Sequence, residues 1–222
     1  MTPAKRLMDV VFSSLLIVIL APVFVAIVAV LLIRQGRPVF YVAERMKSPT
    51  EAFGLWKFRT MTVSDEDSGV SGGNKAQRIT PLGARLRAKR LDEIPQLWNI
   101  LKGDISFVGP RPPLRQYVDR FPDLYARVLK SRPGVTGLAT LTLHRQETEL
   151  LAGCRSARET DDVYCRLCIP RKARMDLIYQ QNRSVCYDFV LVFQTIGEMF
   201  SRDDPRMSIQ RKSDASVQNC GG

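Results

Sequence analysis

Residues 10–33 read V-V-F-S-S-L-L-I-V-I-L-A-P-V-F-V-A-I-V-A-V-L-L-I, 24 positions without a charge. As a helix rising ~1.5 Å per residue, the run reaches ~36 Å, enough for a hydrocarbon core of ~30 Å. A cleaved leader would have an apolar stretch of only ~7–15 residues ending in a small-residue site. No such site precedes Arg34, so the segment is expected to stay on the protein. Pro22 sits at its centre, without an N–H and with its ring against the carbonyl of Val18, and Ala21 is pushed away from the helical region. Basic residues flank both ends: Lys5 and Arg6 before, then Arg34, Arg37, Arg45 and Lys47 after. A positive-inside bias cannot hold at both ends of a crossing helix, but a segment that enters and returns satisfies it. Two readings therefore stand on the residues alone: a Pro-kinked crossing helix, tolerated where neighbours or water re-satisfy the backbone, and a re-entrant hairpin broken at Pro22.

The remainder reads as an ordinary folded chain with an unusual charge. Of 222 residues, 45% are hydrophobic and 25% charged, which argues against wholesale disorder or a fibrous repeat. Lys and Arg number 33 against 22 Asp and Glu, a formal charge of +11 that calls for an anionic partner: nucleic acid, an acidic membrane face or a phosphorylated substrate. Five cysteines, an odd number behind a retained apolar segment, fit free thiols better than a disulfide framework. Cys165 and Cys168 have the spacing of half a zinc site, but Cys154 and Cys186 are ill-placed to complete it.

Residues 38–43 and 52–61 are β-prone, and residues 64–75 run from acidic to glycine-rich, the pattern of a loop. Thr80-Pro81 marks a helix start running to about Arg90, with Arg85, Arg87, Lys89 and Arg90 making a cationic surface. A second helix is expected from Asp92 as N-cap, with Ile94, Leu97, Trp98 and Leu101 as its apolar stripe and Gly103 as its stop. Gly109 to Pro113 is a stiff turn presenting Arg111. Residues 147–166 and 176–200 read as helical, and the chain beyond Ser201 as a polar tail. The organisation is thus an apolar segment at 1–37, a folded domain at 38–200 and a tail at 201–222, in an α+β, mostly helical class.

Asp92 and Glu93, adjacent carboxylates after a cluster of cations, could serve as nucleophile, base or Mg²⁺ ligands for a phosphate compound. The plainer reading makes Asp92 an N-cap and Glu93 a favourable charge for the helix dipole. Lys57 and Arg59 alternate around Phe58, one strand face carrying both, as a phosphate clamp or a solvated edge. Arg111 is held between prolines, pre-organised for a forked contact to phosphate or simply at a surface turn. His144 has no G-x-S-x-G neighbour and reads as a pocket or surface residue.

Together, the proline-interrupted apolar N-terminus, K-F-R-T-M at 57–61, L-D-E-I-P-Q-L-W-N-I-L-K-G-D-I-S-F-V-G-P-R-P at 91–112 and R-P-G-V-T-G at 132–137 resemble the bacterial sugar transferases. The resemblance is to their monotopic polyprenyl-phosphate phosphoglycosyl transferases and runs from about Lys5 to Phe200. It implies a re-entrant N-terminal helix broken at Pro22, though Ala21 stands where serine is usual. It also implies a catalytic domain on the cytoplasmic face of the bacterial inner membrane, with interfacial amphipathic helices and a small β element. The implied reaction moves a phospho-sugar from a UDP-sugar to a polyprenol phosphate (undecaprenyl phosphate), with release of UMP, as the first membrane step of glycoconjugate or exopolysaccharide synthesis.

The resemblance makes Asp92 the nucleophile of a covalent intermediate and Glu93 its partner acid, both as ligands of Mg²⁺. Lys57, Arg59, Arg87, Arg111 and Arg145 become substrate phosphate contacts, and Pro110 and Pro112 shape a nucleotide-site loop. Asp9 matches an acidic residue common before the apolar run. Anionic lipids are implied partners, downstream glycosyltransferases are possible ones, and nucleic acid is not expected. Arg145 aligns with His144 in place of a glycine, and residues 147–169 make a longer segment than the smallest relatives carry. A membrane-anchored, non-enzymatic basic module binding anionic lipid or nucleic acid is the competing reading. It would want aromatic side chains exposed among the cations, whereas Trp56 and Trp98 fall in apolar stripes.

Overall fold

The structure, a computed structural model, describes residues 2–62 and 78–201. The expected loop at 64–75 and the expected tail after Ser201 lie outside the described residues. The class is the expected one, mostly helical with small β elements.

Helix α1 spans Pro3–Gln35. Thr2 Oγ1 accepts from Lys5 N at 3.3 Å, proline occupies the first turn, and Gly36 ends the helix at φ 66°. Here the expectation of a break at Pro22 is corrected: the helix continues through it. A proline removes one i→i−4 donor, and in an apolar stretch the remaining backbone groups gain most by staying paired within the helix.

Both ends of α1 attach to the same folded body. Near the start, the Arg6 guanidinium donates to Ile100 O and Leu101 O, each at 2.7 Å. Lys5 is buried, donating to Val108 O at 3.0 Å and Tyr179 Oη at 3.1 Å and pairing with Asp188. Asp9 accepts from Ser106 Oγ at 3.0 Å and Phe107 N at 3.3 Å. Lys5 and Arg6, read from the sequence as the basic flank before the apolar run, are thus bonded inside the protein. Further along, Leu16, Ile17 and Leu20 pack on Phe53, Leu55, Leu97, Ile100 and Ile105, while Phe24, Ile27, Val28 and Leu31 join Val39, Phe58 and Leu86. The other side of α1 is apolar and open, with Val18 73% and Ile33 81% exposed.

Strands β1 (Phe40–Met46) and β2 (Ala52–Phe58) form an antiparallel hairpin pairing Tyr41 with Lys57 and Arg45 with Phe53. Helix α2 is Pro81–Ala88 and α3 is Gln96–Lys102. Strand β3 (Ser106–Val108) is followed by α4 (Arg115–Arg120) and α5 (Pro122–Val128) before β4 (Gly134–Thr136) returns parallel to it.

The remaining helices are α6 (Leu138–Ala152), α7 (Ala157–Val163), α8 (Ile169–Asn182) and α9 (Val185–Ser201), with one π-helical turn at Tyr164–Cys168. Both long helices expected from the sequence are therefore divided. Ser156 Oγ caps Glu159 N at 3.1 Å, and Ser184 Oγ caps Tyr187 N at 3.1 Å. Ser156-x-x-Glu159 is a capping-box pattern visible in the sequence. Cys165 and Cys168 are buried free thiols, and the described residues contain no cluster of three metal-ligating side chains.

Candidate active site

Thr80 behaves as the sequence predicts, its Oγ1 accepting from Gly83 N at 2.9 Å to start α2. The end of the helix differs. It closes at Ala88, and Arg90 adopts a left-handed conformation (φ 52°) that turns the chain into a short 3₁₀ segment, Leu91–Glu93. Asp92 is therefore not an N-cap, because α3 begins later, after Pro95, without a side-chain cap. The predicted stripe holds at Leu97, which is buried, but Trp98 is 57% and Trp56 39% exposed.

Asp92 is buried, and its neighbour Glu93 is nearly so. Lys57 Nζ donates to Glu93 Oε1 at 3.0 Å, and Arg90 Nη2 lies 3.1 Å from Glu93 Oε2 as a charge contact without hydrogen-bond alignment. Among the described residues, no other side chain donates a hydrogen bond to Asp92. Arg87 donates to Thr60 Oγ1 at 2.8 Å and sits within electrostatic reach of Asp92. Arg111 is exposed and within reach of both Glu93 and Lys57.

The loop carrying Arg111 is fixed at both sides. Gly109 N donates to Thr136 O and Gly134 N to Pro110 O, each at 2.9 Å, while Pro110 and Pro112 are buried. The close approach explains R-P-G-V-T-G: a Cβ on Gly134 would lie 2.2 Å from Gly109 N.

The two carboxylates are driven apart electrostatically. Burial raises the pKa of Asp92, and the charge of Glu93 adds to the rise against Lys57 and Arg87. Burial would also raise Glu93, but Lys57, Arg90 and Arg111 overcome it and hold it down at about 2. Lys57 is itself lowered by burial and by Arg111, with Glu93 opposing. Adjacent acids in such divergent environments are chemically unlike.

Two expected phosphate contacts have partners within the protein. Strand β2 ends at Phe58, so Arg59 leaves the face of Lys57 and turns to the end of α1, donating to the carbonyls of Gln35, Gly36 (2.9 Å) and Arg37 (3.1 Å). Arg145 pairs along its own helix with Glu149 at 2.8 Å, both well exposed. Arg90 was legible only as one of four clustered cations; the left-handed residue that aims it at Glu93 left no sequence signal.

The family model of the bacterial sugar transferases matches residues 1–202. The chain belongs to this family. Among its relatives, the UDP-glucose:undecaprenyl-phosphate glucose-1-phosphate transferase of Klebsiella pneumoniae is 31% identical over 200 residues, covering 88% of this chain and 40% of that protein. The like-named protein of Caulobacter vibrioides is 30% identical over 205 residues, covering 90% of this chain and 71% of the relative. The exopolysaccharide production protein ExoY of Rhizobium meliloti is 32% identical over 209 residues, 87% and 84% of the two chains. The chain spans about two fifths of the length of several curated relatives it matches. The family block at 91–112 is thus the segment that forms the buried acid pair, α3, β3 and the arginine-bearing turn.

Proposed function

We propose that the chain is a phosphoglycosyl transferase that moves a phospho-sugar from a UDP-sugar to a polyprenol phosphate. The observation that carries this reading is the buried Asp92, with no side-chain donor among the described residues, beside a Glu93 whose charge is held by Lys57 and Arg90. A carboxylate nucleophile divides the transfer into two displacements. In the first, an Asp92 carboxylate oxygen attacks the sugar-bearing phosphorus. The bond from that phosphorus to the bridging oxygen breaks, and UMP leaves with the bonding pair. In the second, an oxygen of the polyprenol phosphate attacks the aspartyl phosphorus and frees the carboxylate, giving a polyprenol diphosphate sugar. Burial makes Asp92 more basic than an exposed aspartate, and so a stronger nucleophile when ionised.

Arg87 and Arg111 are suited to the diphosphate charge that grows as the leaving phosphate departs. Oxygen donors on Asp92 and Glu93 fit Mg²⁺, which is commonly held by one or two carboxylates together with substrate phosphates. Asp92 is the more available ligand, since both Glu93 oxygens face cations. A bound Mg²⁺ would supply charge neutralisation at the diphosphate.

The proposed location is the cytoplasmic face of the inner membrane, with α1 entering without crossing. Support comes from the attachment of both its ends to one body, its open apolar side, and exposed Arg34 and Arg37 at its end. Only 11% of its most apolar window is buried, unlike a core helix. Anionic lipids are the proposed headgroup partners of those arginines, and downstream glycosyltransferases the proposed consumers of the product.

The test is UMP release from a panel of UDP-sugars with Mg²⁺ and undecaprenyl phosphate in detergent. Wild type is expected to turn over, and Asp92→Asn to lose at least ~10³-fold, with no phosphosugar adduct by intact mass. Turnover surviving Asp92→Asn would remove the nucleophile assignment. Single-cysteine labelling near Gly36, reached only from the periplasm, would overturn the placement of α1.

A further inference from the structure

Arg45 lies on β1, on the strand face that also bears Tyr41 and, across the hairpin, Lys57. The next residue, Met46, donates its N–H to Pro113 O at 3.0 Å, which ties the arginine-bearing turn to this strand. Arg111 consequently sits within electrostatic reach of Arg45. A third cation approaches from α8: Lys172 Nζ lies 3.0 Å from Glu147 Oε2 and 3.2 Å from Tyr164 Oη, and Tyr164 packs 5.2 Å from the ring of Tyr117. Arg111 is thus in electrostatic reach of both Arg45 on the strand and Lys172 on the helix, and Tyr164 is in reach of Arg45.

The charges there are not balanced alike. Lys172 is answered by Glu147. Among the described residues, no carboxylate forms an ion pair with Arg45 or Arg111, although Arg45 is half-buried. Neighbouring Glu44, which points to the other strand face, pairs with Arg115 at 2.8 Å. Burial and the charge of Arg111 lower the pKa of Arg45, with Tyr41, Tyr164 and Tyr117 opposing, and an anion between the two guanidiniums would offset their repulsion. Two guanidinium forks match the paired oxygens of a phosphate or a carboxylate, and of these the transferase reading supplies phosphate.

We propose that Arg45 and Arg111 form a phosphate clamp, making Arg45 a binding residue of the same site as Asp92. This rests on the transferase reading above for its ligand, either the diphosphate of the nucleotide sugar or the monophosphate of the polyprenol. The clamp extends the site from the acid pair along β1 towards α8.

The experiment measures UMP release by wild type, Arg45→Gln, Arg45→Lys and Arg115→Gln, with donor and acceptor varied separately. Loss of one forked contact is expected to raise one KM roughly 10–100-fold in Arg45→Gln. A rise for the UDP-sugar assigns the donor diphosphate, and a rise for undecaprenyl phosphate assigns the acceptor. Arg45→Lys is expected to recover part of the loss, and Arg115→Gln to match wild type. Both KM values unchanged in Arg45→Gln, or a fall in kcat alone with a lowered melting temperature, overturns the clamp. If Arg45→Gln does not fold, Arg45→Lys carries the same comparison.

Calorimetric titration with pyrophosphate separates this from the functional reading. Should wild type release no UMP from any UDP-sugar, pyrophosphate binding that weakens at least ~10-fold in Arg45→Gln but not Arg115→Gln still upholds the clamp. Equal binding in both, or none in wild type, removes it.

Discussion

Lys57 Nζ donates to Glu93 Oε1 across 3.0 Å, and with the charges of Arg90 and Arg111 this pairing divides two adjacent carboxylates into unlike groups. Glu93 is kept ionised by the ammonium beside it, while Asp92, equally close in sequence, has only the longer-range charge of Lys57 and Arg87 against its burial.

The acid limb of the first displacement should report Asp92, which must be ionised to attack. Its pKa is raised, so the rate of UMP release in a single turnover is expected to fall at a pH above the ordinary aspartate range of about 4. Glu93→Gln removes a neighbouring negative charge and should move the limb to lower pH. Lys57→Met removes a positive one and should move it higher. A limb that stays in place in both variants belongs to another group.

Lys57→Met should also change the acid stability of the fold. Glu93 is held at about 2 against an ordinary 4.5, so its contribution is fully present above pH 4.5 and lost as pH falls towards 2. Breaking such a pair costs on the order of 3 kcal/mol. Thermal unfolding in detergent across this range should show a lower melting temperature for the variant at neutral pH and a smaller gap from wild type near pH 2.

Arg59→Gln separates a cap from a phosphate ligand. The guanidinium donates to three carbonyls at the end of α1, so the variant should lose about 1.5–3 kcal/mol of stability. Its KM for the UDP-sugar should match wild type. A raised KM with an unchanged melting temperature would return Arg59 to the substrate.

Gly134→Ala should disable the site from a distance. The added methyl would sit 2.2 Å from Gly109 N and 2.6 Å from Val108 C, forcing β3 and β4 apart and releasing the turn that holds Arg111. The expectation is poor folding, or a folded protein with a raised donor KM and faster proteolysis at residues 109–113. Wild-type kinetics would show that the strand pair does not position the turn.

The residues most readable beforehand were those whose chemistry is local. Thr80-Pro81 announced α2 because an N-cap and a first-turn proline act over three residues. The acid pair and Arg111 stood out because carboxylates beside cations, and an arginine between prolines, are unusual at any fold. The divisions at Ser156 and Ser184 were missed, because apolar periodicity runs across the serines that cap the later helices. Arg59 and Arg145 could not be placed from spacing, since their partners are chosen by where β2 ends and where α6 lies.

By itself, then, the sequence determined a long apolar N-terminal helix, a basic folded body and the Asp92–Glu93 pair, because hydropathy, net charge and residue identity need no partner to act. Tertiary structure decided which cation each acid meets and that Lys5 is buried rather than lipid-facing. It also anchored both ends of α1 on one body and brought Arg45 within electrostatic reach of Arg111. Those outcomes depend on contacts between segments far apart in the chain, such as Lys5 with Asp188, at 183 positions, and Lys57 with Glu93, at 36. Electrostatic energy falls with distance in space and with solvent exposure, and neither quantity is fixed until the chain is packed.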